Sequence, residues 1–339
     1  MKTILPLPDI SIVIVNYRGW ERLSQCLDSL YNLEDPRFTF EVIVVDNYSN
    51  DWLFPKFKEI YSKFTFVVNS GNHGFANGCN LGASLSQGAY LLFLNPDTIV
   101  NADALFMLLA EIRHRKIFSI VSCRQVKSNG SDERPYGNFL SMFNLTGWLR
   151  AIGRLFRSRK KNLLIQNENY IYPDWVSGSV LMIGKSSFKC LGGWDEDFWM
   201  YFEDVDLCYR ARLKNGEIVK LKDATVEHNH GGASRINRRV TALTKTEVNI
   251  SRHVYISKHE TGFVAAYMHT FLILNNVIFG FLPALAGAVF VYNQSLNSRC
   301  MAYFQLLAYY VNVPTSGTWL SKRSVNYREQ VSLSSVLSQ

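Results

Sequence analysis

The six cysteines of this 339-residue chain, Cys26, Cys79, Cys123, Cys190, Cys208 and Cys300, form no Cys-x-x-Cys pair, and no Cys/His group has zinc spacing. This argues against a disulfide framework and a structural zinc. The opening MKTILPLPDI carries one lysine and a short apolar stretch broken at Pro6 and Pro8, too little for a signal-peptide core. Together these absences imply a reducing, cytoplasmic setting. Phosphate-cradling loops are missing too. There is no Gly-x-x-x-x-Gly-Lys-[Ser/Thr], and no Gly-x-Gly-x-x-Gly follows the first apolar run, which disfavours a P-loop NTPase and a nicotinamide dehydrogenase. Proline is scarce at 9 residues, while 47% hydrophobic and 14% aromatic residues suffice to fill a core, so intrinsic disorder is excluded as well. The length suits one large domain or a domain with an appendage.

From residue 10 to 122, short β-branched apolar runs (10–15, 41–46, 64–69, 90–94, 118–122) alternate with stretches such as 20–33 and 103–116 that are long enough for crossover helices. Apolarity that is continuous rather than alternating suits parallel strands buried on both faces. The pattern predicts a doubly wound α/β sheet, in which ligands bind at the carboxyl ends of the strands. Three such ends are polar: Asn16-Tyr17-Arg18, Asp46-Asn47 and Asn95-Pro96-Asp97. Each alone suits a helix cap; three on one sheet edge point to a ligand site.

The stretch Gly71-Asn72-His73-Gly74-Phe75-Ala76-Asn77-Gly78-Cys79-Asn80-Leu81-Gly82 has glycines suited to a tight strand-to-helix turn or close approach to a ligand. Further on, Gly192-Gly193-Trp194-Asp195 leads into six acids, Asp195, Glu196, Asp197, Glu203, Asp204 and Asp206, set among Trp, Phe and Tyr. A carboxylate beside aromatics can be raised in pKa and serve as a general base. Acids at Glu203-Asp204-Val205-Asp206 also suit a helix amino terminus; both readings can hold together. Two histidines, His228 and His230, end a strand-like run beside this acidic region and suggest a metal ligand.

In order, these motifs resemble the inverting glycosyltransferases of family 2, in the branch similar to bacterial rhamnosyltransferases, over roughly residues 9–235. The resemblance rests on Ser11-Ile12-Val13-Ile14-Val15-Asn16-Tyr17, Val44-Val45-Asp46-Asn47, Gly74-Phe75-Ala76 with Asn80, Phe93-Leu94-Asn95-Pro96-Asp97, Gly192-Gly193-Trp194-Asp195, and Phe202-Glu203-Asp204-Val205-Asp206-Leu207. It implies a GT-A fold in residues 1–235, with a Rossmann-like nucleotide-sugar half (1–125) whose sheet carries helices on both faces, and an acceptor half (126–235). By resemblance, Asn16, Tyr17, Asp46, Asn47, Gly74, Phe75, Asn80 and Asn95 bind the donor, with Asp46 on the nucleobase or ribose. Asp97 matches the last position of an Asp-x-Asp motif that holds Mg2+ or Mn2+ on the donor pyrophosphate. Here that motif reads Asn95-Pro96-Asp97, one acid short. His228 completes the metal site, with His230 as a substitute. Asp204 takes the place of the catalytic base beside Glu203, and Gly178, Trp194 and Asp195 face the acceptor. The branch implies dTDP-rhamnose as donor and a lipid-linked cell-envelope glycan, such as an O-antigen or capsule, as acceptor. Alternatives are a UDP-sugar donor, a nucleotidyltransferase releasing pyrophosphate, or a catalytically silent membrane-associated assembly protein, which the missing acid favours.

Two further absences concern surfaces. Residues 134–167 contain no acid, while Arg150, Arg154, Arg157, Arg159, Lys160 and Lys161 crowd there with Trp148, Leu149, Ile152, Leu155 and Phe156 at helical spacing. A basic amphipathic helix suits an anionic membrane surface; the alternative is a solvated helix packing its stripe on the core. No nucleic-acid motif accompanies the charge. Residues 261–298 carry no Asp, Glu, Lys or Arg, and the run 277–292, broken at Pro283, is short of a bilayer span. The expectation for residues 236–339 is a helical region with two amphipathic or re-entrant helices at a membrane interface, or a hydrophobic pair buried on a second subunit. Peripheral attachment to the cytoplasmic face of the membrane follows from the first option.

Overall fold

The computed structural model describes residues 7–155, 165–228 and 237–337. In chain order its elements are β1 (Ile10–Asn16), α1 (Trp20–Tyr31), β2 (Phe40–Asp46), α2 (Leu53–Ile60), β3 (Thr65–Val68), α3 (Phe75–Leu85), β4 (Tyr90–Leu94), β5 (Thr98–Ile99), α4 (Ala102–His114), β6 (Ile120–Val126) and β7 (Tyr136–Gly137). There follow α5 (Gly147–Leu155), β8 (Ile165–Gln166), β9 (Tyr170–Tyr172), β10 (Trp175–Val176), β11 (Val180–Gly184), α6 (Lys185–Cys190), α7 (Glu203–Leu213) and β12 (Ile218–His228). The rest is helical: α8 (Arg238–His259), α9 (Gly262–Leu274), a π-helical turn (Asn275–Phe279), α10 (Gly280–Val289), α11 (Gln294–Ser316) and α12 (Tyr327–Leu337). They form two compact units. The first takes the described residues of Met1–Phe139, Leu163–Asp195 and Glu203–His230, the second those of Leu140–Asn162, Glu196–Phe202 and Gly231–Gln339.

The first unit is built on a sheet of order β3-β2-β1-β4-β11-β6-β12-β9-β8, with β5 paired to β12. Pairs β3-β2, β2-β1 and β1-β4 are parallel. Alternate residues feed opposite layers, as the two-residue period of a strand requires. Ile10, Ile12 and Ile14 pack with Leu23 and Leu27 of α1 and Leu105 and Leu108 of α4, whereas Val13 and Val15 pack with Ala76 and Cys79 of α3 and Leu207 of α7. Both faces of β1 are thus covered by helices, and its apolar run is continuous for that reason. The GT-A arrangement of helices on both sides of the sheet is what the sequence predicts.

The sheet is mixed, not wholly parallel. Strand β6 does not lie beside β4, because β11 enters between them antiparallel to both. Its Val180, Leu181, Met182 and Ile183 are fully buried, alternating between the two layers, so this run needs neighbours on each side as much as β1 does. The glycines of α3 serve packing here. A Cβ on Gly82 would stand 2.4 Å from Val13 Cγ1, and one on Gly78 would stand 2.8 Å from Val15 Cγ1, so their bareness lets α3 lie flush on β1. Gly74, at φ +94°, makes the turn into α3.

In the second unit Leu145, Ile256, Met268 and Leu272 make a small core with Leu140, Met142 and Leu149 against it. The expected break at Pro283 does not occur. Gly262–Val289 is one helical run of 28 residues, long and apolar enough to cross a membrane and only 17% buried over its most apolar window. Pro283 removes the amide that would bond Phe279, the residue on which the π turn ends. Helix α10 packs on α11 so closely that a Cβ on Gly287 would meet Leu296 O at 2.1 Å. Helix α5 forms where the apolar stripe predicts, and its Trp148 ring lies on Phe271 and Phe279, so at least this end of the stripe is packed. The side chains from 154 to 161, with most of the basic run, and His230 lie outside the described residues.

Candidate active site

Strands β1 and β2 end in register, with Asn16 opposite Asp46. Asn16 Nδ2 donates to Asp46 Oδ1 at 3.4 Å, and its own Oδ1 accepts from Gly19 N at 3.1 Å. The Asp46 carboxylate accepts from Ser49 twice, from the amide at 2.8 Å and the hydroxyl at 2.5 Å. Burial pushes its pKa up, with the Ser49 hydrogen bonds working against that. Asn47 donates to Gly74 O at 2.9 Å and accepts from Asn69 Nδ2 at 2.8 Å, tying the β2 end to the α3 turn. Tyr17 stands exposed at the same edge with the Arg18 guanidinium 5.3 Å from its ring centre.

The third polar strand end is placed by β5. Pairing Thr98 with His228 puts Asp97 beside the β12 histidine. Asp97 Oδ1 lies 3.3 Å from His228 Nε2, Asn95 Nδ2 lies 3.5 Å from the same nitrogen, and Glu133 Oε2 lies 3.0 Å from Nδ1. A carboxylate only accepts, so Nδ1 donates to Glu133, which sets the ring with Nε2 toward Asp97. A carboxylate oxygen and an imidazole nitrogen at this range are groups that could share a divalent cation. Among the described residues no group of three or more His, Cys, Asp or Glu could hold a metal. Asp97 and His228 could supply two ligands of a shell that Mg2+ or Mn2+ would complete with substrate phosphates and water.

Asp204 is the second residue of α7, entered through two residues at left-handed φ, Tyr201 (+70°) and Phe202 (+69°). Its Oδ2 accepts from Gly178 N at 3.2 Å and its Oδ1 from Val205 N at 2.8 Å. Burial pushes this carboxyl up to about 6 against those backbone donors. Its neighbour Glu203 is 7% exposed, is pushed well above the usual carboxylate range by burial and then by the Asp204 charge, and leaves Oε2 without a partner. Burial thus raises both adjacent acids, Asp204 to about 6 and Glu203 well above the usual carboxylate range.

The other predicted residues are placed differently. Trp194 is core, 1% exposed, with its ring on Phe75, Phe93 and Phe188. Asn80 grips the Trp194 backbone with both ends of its amide, donating to the carbonyl at 2.8 Å and accepting from the amide at 2.9 Å. Gly178 stands against Phe75 and Trp194, where a Cβ would find carbons at 3.1 and 3.2 Å. Asp195 is half-buried next to Trp194. The six-acid cluster disperses, since Asp206 pairs with Arg210 at 2.6 Å within α7 and Asp197 with Lys258 at 2.5 Å in the second unit. Sequence reasoning missed Glu133, Ser49 and Asn69. Ser49, three residues beyond Asp46, is the one with a local signal, because a short hydroxyl there closes a turn on the acid.

The chain matches the model of glycosyl transferase family 2 over residues 11–192. The chain belongs to that family. It is a glycosyltransferase that uses a nucleotide-sugar donor. This transferase is 29% identical over 232 residues to the low-salt glycan biosynthesis hexosyltransferase Agl10 of Haloferax volcanii, covering 66% of this chain and 68% of that protein. It is 24% identical over 214 residues to the rhamnosyltransferase WbbL of Escherichia coli K12, covering 60% and 77%. Among solved structures it resembles the mannosyltransferase PcManGT of Pyrobaculum calidifontis in complex with GDP-Man and Mn2+, with TM-score 0.52, 16% identity, and coverage of 98% of this chain and 88% of that one. It also resembles GalNAc-T7 with UDP, GalNAc and Mn2+, with TM-score 0.51 and 17% identity, over 66% of this chain and 43% of that one. At these identities the likeness concerns the fold.

Proposed function

We propose that this transferase moves rhamnose from dTDP-rhamnose to a lipid-linked cell-envelope glycan, with inversion, at the cytoplasmic face of the membrane. The observation that carries the chemistry is Asp204, held by Gly178 N and Val205 N and raised to about 6. A base with a pKa near the working pH is both ionised and strong enough to take the proton of an attacking hydroxyl. The hydrogen bonds fix both oxygens, so Asp204 can draw the acceptor hydroxyl onto the anomeric carbon opposite the leaving group, in a single displacement. Asp97 and His228 would hold Mg2+ or Mn2+, with Glu133 fixing the ring. Such a cation balances the charge of the departing nucleotide diphosphate. Asn16, Tyr17, Asp46, Asn47 and Gly74 line the strand ends where the nucleotide would lie. The likeness to WbbL and the Asn95-Pro96-Asp97 sequence support rhamnose as the sugar.

The charge-free helix Gly262–Val289 supports attachment to the membrane surface. One of its faces is occupied by α11, which carries Arg299, Asn297 and Gln305, while Phe279, Leu282 and Val289 are exposed. The polar side chains that α11 brings beside it favour a place at the membrane surface over a full crossing.

Thermal unfolding with dTDP-, UDP- and GDP-sugars, with and without Mn2+, tests the donor assignment in the wild type and in Asp97→Ala. A Mn2+-dependent rise with dTDP-rhamnose, about 2.7 kcal/mol at ~100 times Kd and absent in the variant, is expected. A rise confined to a UDP- or GDP-sugar would replace the donor, and no rise with any donor would overturn the proposal.

A further inference from the structure

One arginine at the carboxyl edge of the sheet is left unmatched by the fold. Arg22, in the first turn of α1, makes no side-chain hydrogen bond or ion pair among the described residues, and its Nε is buried with nothing to donate to. The residue as a whole is partly exposed. Arginines that serve the fold are placed otherwise. Arg18 donates from Nε to Ser49 O at 3.4 Å and lies on the Tyr17 ring, and Arg115 reaches Glu111 at 2.5 Å and Glu217 at 3.1 Å. A buried guanidinium nitrogen without an acceptor costs stability, and its planar fork is matched by phosphate oxygens.

Two contacts fix where Arg22 stands. A Cβ on Gly19 would lie 3.0 Å from Asn16 Oδ1 and 3.5 Å from Arg22 Nη2, so the guanidinium and the end of β1 meet over the same turn. Four residues on, along the same face of α1, Cys26 Sγ lies 3.9 Å from Asn95 O and 3.6 Å from Thr98 Oγ1. Helix side chains lean toward the amino terminus, so Arg22 stands one turn nearer the sheet edge than Cys26, beside the turn Asn95-Pro96-Asp97. It is thus set between Asn16 with Asp46 on one side and that turn on the other. The carboxylates of this edge are engaged elsewhere: Asp46 accepts from Ser49 and Asn16, and Asp51 from Trp20 Nε1 at 2.8 Å and Leu53 N at 3.0 Å. Gly19 offers α1 no side-chain cap, so the positive end of the helix adds to the charge at the same place.

We infer that Arg22 binds the diphosphate of the nucleotide-sugar donor, its fork on the phosphate oxygens between nucleoside and cation. This rests on the strand-end site given above, with the nucleoside at Asn16 and Asp46 and the cation at Asp97 and His228. A diphosphate joining those two places passes Arg22. The contact reads charge and not the base or the sugar, so it acts equally on any nucleoside diphosphate that the site accepts.

Calorimetric titration of the full chain in Mn2+ tests it, using the nucleoside diphosphate and the nucleoside of whichever base the thermal unfolding series selects. In Arg22→Gln, and in Arg22→Met, which keeps an apolar stem, diphosphate binding should weaken at least tenfold, tenfold being ~1.4 kcal/mol. The nucleoside should bind both variants as it binds the wild type. Arg22→Lys keeps a point charge without the fork, so its diphosphate affinity should fall between wild type and Arg22→Gln. Without ligand, Arg22→Gln and Arg22→Met should melt no lower than the wild type, because each removes the unmatched buried Nε. Unchanged diphosphate binding in both variants, or an equal loss for nucleoside and diphosphate, would overturn the assignment. A drop of several degrees in both ligand-free variants would make Arg22 a residue of the fold and overturn it too. Failure of the strand-end reading looks different: the wild type then binds no diphosphate, or Asp97→Ala binds it as the wild type does, and the inference falls with that reading.

Discussion

Asp204 and Glu203 differ by one position and face different surroundings, and that difference is measurable. In Asp204→Asn, sugar-nucleotide binding should persist while kcat falls by about 10²–10⁴. The wild-type kcat/KM should lose activity on the acid side with a midpoint near the raised value of about 6, since only the ionised carboxylate accepts a proton. Stability runs the other way. The folded pKa lies above the ordinary 3.8, so folding opposes ionisation, and the wild type loses stability as pH rises from 3.8 through about 6. The Asn variant should lack that loss and melt higher at neutral pH. A second residue-scale prediction concerns Glu133. Glu133→Ala frees His228 Nδ1 and should weaken Mn2+-dependent donor binding about 10–100-fold in a metal titration, with Glu133→Gln retaining much of it because its carbonyl oxygen still accepts. Asp46, Asp97, Asp204 and His228 were legible because each stands at or just past a strand end, or at a helix start, next to an apolar run. Glu133 was not. It follows β6 in an irregular segment, and only the fold carries it to a histidine 95 positions away.

At the scale of elements, α3 depends on two bare positions. Gly82→Ala drives a methyl into Val13 and Val45 on the sheet. A cost of about 1–3 kcal/mol is expected, seen as a lower urea midpoint with unchanged m value. The runs that became β1, β2 and β4 could be read from their continuous apolarity, and helices α1 and α4 from the intervals between them. The place of β11 could not. Val180 to Ile183 has the composition of a buried strand, but direction and neighbours are set by the connection that delivers it, and composition does not encode that. The Gly-rich stretch suggested ligand approach; Gly78 and Gly82 instead answer the distance between helix and sheet. Pro283 misled as well, because the helix runs on through it with a π turn just before.

At the scale of the whole molecule, the second unit is assembled from three separated pieces of chain. Leu145 and Leu149 find their core partners at Ile256, Met268 and Leu272, and Asp197 is held by Lys258 and by Asn326 Nδ2 at 2.8 Å. A chain ending at residue 235 would leave these groups bare. It should be insoluble or melt well below the full chain by circular dichroism, whereas a simple appendage could be removed without that loss. The same interleaving sets a clock during synthesis. Asp197 leaves the ribosome 129 residues ahead of Asn326, roughly 6–26 s at bacterial-type elongation rates. The sheet can close in that interval, because its strands end at residue 228, but Leu145, Leu149 and Asp197 wait for partners on α8, α9 and, for Asn326, the chain beyond α11. The order of emergence therefore leaves these groups of the nascent chain exposed after the sheet has already formed.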